Sequence, residues 1–250
     1  MLTTARAFVL TVSSIVAVAA TASAAPIVTI TEVAGANTAA KLSNKATLLA
    51  GLGNYTMLED FETMTASNTA GHTTLATGAG TFSKSAGALN GTGGACIKAG
   101  GNPQTCDQFF VLRAPLSPFD GRYNTTPSVV QGRGHWLDSN DISGLRLDLG
   151  QPRHSLFFFL TDVSDQGGRL TIGAADGTTT QQAIAPTQGS GDLFFVQMAS
   201  MTGITSVTWS NNRTGDGFGI DDIGTVPEPT SLLLLGVALV ATASRLRRRD

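Results

Sequence analysis

The chain has 250 residues, 29 of them glycine, with 16 Lys+Arg against 18 Asp+Glu and a formal net charge of −2. That balance excludes a nucleic-acid-binding protein, which needs a basic face to neutralise phosphates. Few helix formers and many turn and β-prone residues point to an all-β chain, and the length suits one large β domain.

Charge is unevenly spread, because Arg245, Arg247, Arg248 and Arg249 fall in the last six positions. Residues 1–24 read as a secretory signal peptide. Arg6 forms the positive n-region, Ala7 to Ala20 is uncharged and mostly apolar, and Ala22-Ser23-Ala24 offers signal peptidase the small residues it requires. Cleavage is expected after Ala24. Residues 25–226 then form the exported domain. Taking Arg6, the four tail arginines, Glu228 and Asp250 from the totals leaves 11 basic and 16 acidic residues, a net charge of −5.

Within the domain, Ala36 to Leu52 has helical periodicity, with Ala39, Leu42, Ala46, Leu49 and Ala50 near one face. Strands are predicted at 27–33, 56–61, 75–82, 108–113, 142–149, 155–161, 169–174, 179–184, 193–197, 204–209 and 218–223. Leu145-Arg146-Leu147-Asp148-Leu149 alternates as a half-solvated strand should, whereas Leu156 to Leu160 is continuously apolar and suits a central strand. The spacing predicts an antiparallel β-sandwich with one short N-terminal helix. Cys96 and Cys106 are the two cysteines of an exported chain and predict a disulfide closing a Gly-rich loop.

Two acidic motifs stand far apart: Glu59-Asp60-Phe61-Glu62, and Ile220-Asp221-Asp222-Ile223 on the last strand. Strand alternation would put Asp221 and Asp222 on opposite faces, so one carboxylate must point inward, where it needs a partner. Trp136, between His135 and Leu137, has two readings, a core aromatic or a sugar-stacking platform on a loop. Enzyme signatures are thin: there is no Gly-x-Ser-x-Gly elbow, His-Glu-x-x-His or P-loop, and His72, His135 and His154 are well separated.

The two acidic motifs resemble those of jelly-roll adhesion and carbohydrate-binding modules, which open with a Phe-Glu strand and close with an Ile-Asp-Asp-Ile strand. The resemblance implies a jelly-roll-like sandwich and a structural Ca²⁺ shared by Glu62, Asp221 and Asp222, whose hard oxygens suit that ion.

Residues 227–250 have three parts. Pro227-Glu228-Pro229 stops the preceding strand, Ser231 to Ser244 is apolar, and the arginine cluster follows. The apolar part gives about 21 Å of helix against a hydrocarbon core of roughly 30 Å, so it is expected to be a short transmembrane anchor with its arginines cytoplasmic. This tail resembles the PEP-CTERM sorting signal of Gram-negative bacteria. The resemblance implies an exosortase acting at the Pro-Glu-Pro region, transient residence in the inner membrane, and onward passage to the cell surface or exopolysaccharide matrix. The leading expectation is a non-catalytic surface or matrix component. Its rivals are a module binding the matrix polysaccharide and a secreted hydrolase.

Overall fold

The computed structural model describes residues 25–35, 38–67, 69–85, 108–113, 134–140, 142, 144–162, 167–184, 192–210 and 217–227. The elements follow as β1 (Ile27–Glu32), α1 (Thr38–Gly51), β2 (Thr56–Glu59), β3 (Thr74–Ala76), β4 (Thr81–Lys84), β5 (Phe110–Arg113) and β6 (His135–Asp138). After them come β7 (Gly144–Thr161), β8 (Arg169–Ala174), β9 (Thr179–Ala183), β10 (Leu193–Ser210) and β11 (Gly219–Thr225). All of these strands belong to one antiparallel sheet.

Its framework is the pair β7 and β10, 18 residues each, which run antiparallel from Leu193↔Thr161 to Ser210↔Gly144. The sequence reading splits each into two shorter strands. In the folded chain each is continuous and bent near its middle. The β10 register shifts between Ala199 and Ile204 and again before Ser206, and Gly203 has φ +93°. A Cβ at Gly203 would come within 2.8 Å of the Pro152 side chain, so the bend requires glycine there. Conversely, the segment predicted as one strand over 75–82 is a hairpin, β3 and β4, turned at Thr77–Gly80.

The bend divides the sheet into two halves that share β7 and β10. In one half, β6 and β2 flank β11, β11 flanks the C-terminal part of β7, and β1 flanks the N-terminal part of β10. In the other, β4 flanks the start of β7 with β3 beyond it, while β8 flanks the end of β10 with β9 beyond it. Phe158 from the first half meets Trp209 from the second edge-on at 5.1 Å, and Phe82 stacks on Trp209 at 5.9 Å. The two halves thus close on one core that includes Leu137, Leu145, Leu147, Leu160, Val196, Val207 and Ile220, all fully buried. Arg146 and Asp148 alternate outward and pair at 2.8 Å.

The continuous apolar run in β7 follows from burial on both faces. Phe158 and Leu160 point into the shared core. Phe157 and Phe159 point the other way, into a second cluster with Val33, Leu193 and Phe195 that Leu48, Leu49 and Leu52 cover. Helix α1 therefore caps the outer face of the first half-sheet. Its inward side carries buried Lys45 and partly buried Leu48 and Leu49, continued by Leu52 just past the helix, whereas Ala46 and Ala50 of the expected face are exposed. The helix ends at Gly51 and is capped by Gly53, whose φ is +69° and whose N–H donates to the Ala50 carbonyl.

Candidate functional site

Lys45 stands on the inner stripe of α1 and is 6 % exposed. Its Nζ lies 2.6 Å from Asp222 Oδ2, 3.5 Å from Asp221 Oδ2, and 4.8 Å from the centroid of the Phe159 ring. Both aspartates can reach one ammonium because β11 does not alternate here. Asp222 has φ +50°, and the pairing of β11 with β7 slips between Asp221 and Gly224. A bulge of this kind re-aims a side chain at the expense of local strain. The expectation that the two carboxylates face opposite sides is therefore corrected. Burial pulls the Lys45 pKa down, but the charges of Asp221 and Asp222 and their hydrogen bonds more than offset it, so it lies above the ordinary 10.5.

Glu62 is engaged elsewhere. Its Oε1 accepts the backbone N–H of Gly134 at 2.8 Å and of His135 at 3.1 Å, and its Oε2 lies 3.1 Å from His135 Nδ1. The neighbouring acids act alike. Glu59 accepts N–H groups of Phe61 and Gly78 at 2.8 Å each, and Asp60 accepts that of Glu62 at 3.2 Å. The Glu-Asp-Phe-Glu motif is thus a set of charge-assisted staples that hold the loop after β2 against the β3–β4 hairpin and the start of β6. Glu62, Asp221 and Asp222 do not fit one calcium ion, because the aspartates close on a lysine and the glutamate on backbone donors. Among the described residues no group of three or more His, Cys, Asp or Glu side chains could hold a metal.

Trp136 lies on β6, a strand that the sequence reading leaves as a loop. It is 4 % exposed, packs with Phe110 and Leu112, and directs its indole N–H towards Asp138 Oδ2 at 3.4 Å. The platform reading is corrected: a buried indole face cannot stack on a sugar. Cys96, Cys106, Glu228, Pro229 and the four tail arginines lie outside the described residues, as do the signal peptide and the apolar tail segment. Among the described residues no helix is long and apolar enough to cross a membrane.

Pro227 is described, and it lies where the domain lets go of the chain. Ser155 Oγ accepts the Val226 N–H at 2.9 Å and donates to the Val226 carbonyl at 2.6 Å, while Thr225 Oγ1 donates to the Ser155 carbonyl at 3.0 Å. Ser155 and Thr225 thus hold the chain to β7 up to the residue before the motif. Val226 and Pro227 also line an open groove of about 900 Å³ with Ala25, Ile27, Leu52, Phe157 and Met201 among its other walls. Neither Lys45 nor Ser155 stands out in the sequence as functional. The signal for Lys45 is its place three, four and seven residues before Leu48, Leu49 and Leu52; a lone serine in an apolar strand gives none.

Residues 225–249 match the PEP-CTERM protein-sorting motif. No curated protein matches the chain. Among solved structures, a fucose-binding module of Streptococcus pneumoniae is similar at 14 % identity and a TM-score of 0.27, over 38 % of this chain and 73 % of that one. A family 43 arabinoxylan arabinofuranohydrolase of Bacillus subtilis gives 20 % and 0.27, over 41 % of this chain and 23 % of the enzyme. The module TmCBM61, solved with β-1,4-galactotriose, gives 18 % and 0.26, over 36 % and 70 %. Likenesses of this size carry no argument about ligand.

Removing Lys45 leaves two adjacent aspartates, one of them fully buried, without their cation. Lys45→Ala should destabilise the domain by about 3–5 kcal/mol in denaturant titration, and adding Asp221→Asn with Asp222→Asn to Lys45→Met should recover most of that loss. The raised pKa also has a signed consequence. The ion pair contributes fully below 10.5 and is lost as pH rises through the higher folded-state value. The stability gap between wild type and Lys45→Ala should therefore hold up to about pH 10.5 and narrow above it.

Proposed function

We propose that the chain is the precursor of an exported, non-catalytic surface or matrix protein. In this reading a signal peptide directs residues 25–226 across the inner membrane, the apolar tail holds them there, and an exosortase acts at Pro227-Glu228-Pro229. The exported part is a jelly-roll-like β domain whose task is structural or adhesive. The observation that carries the reading is the sorting motif at residues 225–249, which begins on the last residue of the final strand. The placement of that motif supports it further. Ser155 holds the chain up to Val226, so Glu228 follows the last anchored residue by two positions in the sequence.

The test is fractionation of cells expressing the full chain. Wild type should be trimmed and leave the membrane fraction, whereas Glu228→Ala should accumulate as a longer, membrane-bound form. Equal trimming and release of both chains would contradict the reading.

A further inference from the structure

The groove beside Val226 and Pro227 has a composition unlike that of the rest of the surface. Among the described residues three large hydrophobic side chains are exposed, and the two most exposed, Met201 at 81 % and Ile27 at 70 %, both line this groove. Leu52, Leu156, Phe157 and Met198 form its apolar floor, and the bend of β10 at Gly203 is what brings Met201 to the rim. Nothing in the folding of the domain requires two bare apolar side chains at that place.

Chain path supplies the second observation. Ala25, the residue after the expected leader, and Pro227, the first residue of the motif, line the same groove. Both apolar terminal segments, Ala7–Ala20 and Ser231–Ser244, are therefore joined to one face of the domain. From Pro227 to Ser231 is four residues, at most about 14 Å of extended chain. A domain tethered by so short a segment holds the face around its tether close to the bilayer surface.

We propose that this groove face, with Ile27 and Met201 as its contacts, rests on the lipid surface of the membrane while the tail is embedded. The inference rests on the anchored-precursor reading and adds an orientation to it: the two side chains enter the interfacial layer, where exposed apolar groups gain burial among headgroups and upper acyl chains. Thr29 and Gln197, two polar members of the groove, then face lipid headgroups. Exposed His154 lies beside them, its Nδ1–H donating to the Ser200 carbonyl at 3.0 Å.

The experiment uses the full-length chain in vesicles of phosphatidylethanolamine and phosphatidylglycerol, with and without brominated acyl chains. A tryptophan is placed in turn at Ile27→Trp, Met201→Trp and Glu32→Trp. Glu32 is exposed at the far end of the strand that begins at Ile27, five residues and about 17 Å away. The native Trp136 and Trp209 are buried and give a constant background. Bromolipid should quench the added emission about twofold or more at positions 27 and 201 and leave position 32 unchanged, as expected for side chains at interfacial depth. A chain that floats with the vesicles but shows equal quenching at all three positions overturns the orientation alone and leaves the groove to a protein partner. A chain that does not float overturns the anchored reading together with the inference.

Discussion

A single ammonium group holds the outer half of this fold in place. The last strand carries two consecutive aspartates, and the first half-sheet turns its outer face of Phe157, Phe159 and Phe195 towards the helix. A carboxylate on such a face cannot stay charged without a partner, and two cannot without a full compensating cation. Lys45 meets that requirement from α1, and its contact with the Phe159 ring adds a second attraction to the same charge. The helix is then held over the phenylalanines, and the phenylalanines are kept from water. Strand β11 is pinned from outside as well as through its pairing with β7. The point at which the chain leaves the domain is thereby set.

That exit is where the local structure meets the proposed role. Strand β11 runs directly into the sorting motif, and Ser155 on the neighbouring strand holds Val226 through both its N–H and its carbonyl. The motif needs no long linker to be presented. The first residue after the expected leader lines the same groove, so the domain has one end at which both chain termini depart. A domain built this way can stand on a membrane at a defined angle, a property that a tether attached at a random surface point would not give.

Much of the architecture is legible from period and composition alone. The alternation of Leu145, Leu147 and Leu149 with Arg146 and Asp148 marks a strand with one wet face, and the unbroken run at Leu156–Leu160 marks one buried on both sides. The tail is legible because order and spacing identify it without tertiary structure. What escapes the sequence depends on contacts between distant segments. Long β7 and β10 look like four strands because Gly150-Gln151-Pro152 and the residues around Gly203 read as breaks, although here they bend a strand without ending it. Lys45 looks like a solvated helix charge, because its partners lie some 176 residues further on and converge only through the positive φ of Asp222. Trp136 resembles a loop aromatic because β6 is a short strand, added to the sheet by pairing with β5 and β11.

The same contrast explains why a calcium ion is a natural reading of the sequence and not of the fold. Acidic residues that close a β domain are hard oxygen donors in need of a cation, and the sequence does not say which cation arrives. The most direct measurement is a crystal structure of the exported protein, with crystals grown in the presence of calcium. The account predicts Lys45 Nζ between Asp221 and Asp222, with Glu62 on the Gly134 and His135 N–H groups. A calcium ion bound by Glu62, Asp221 and Asp222, with Lys45 turned away to solvent, would contradict it.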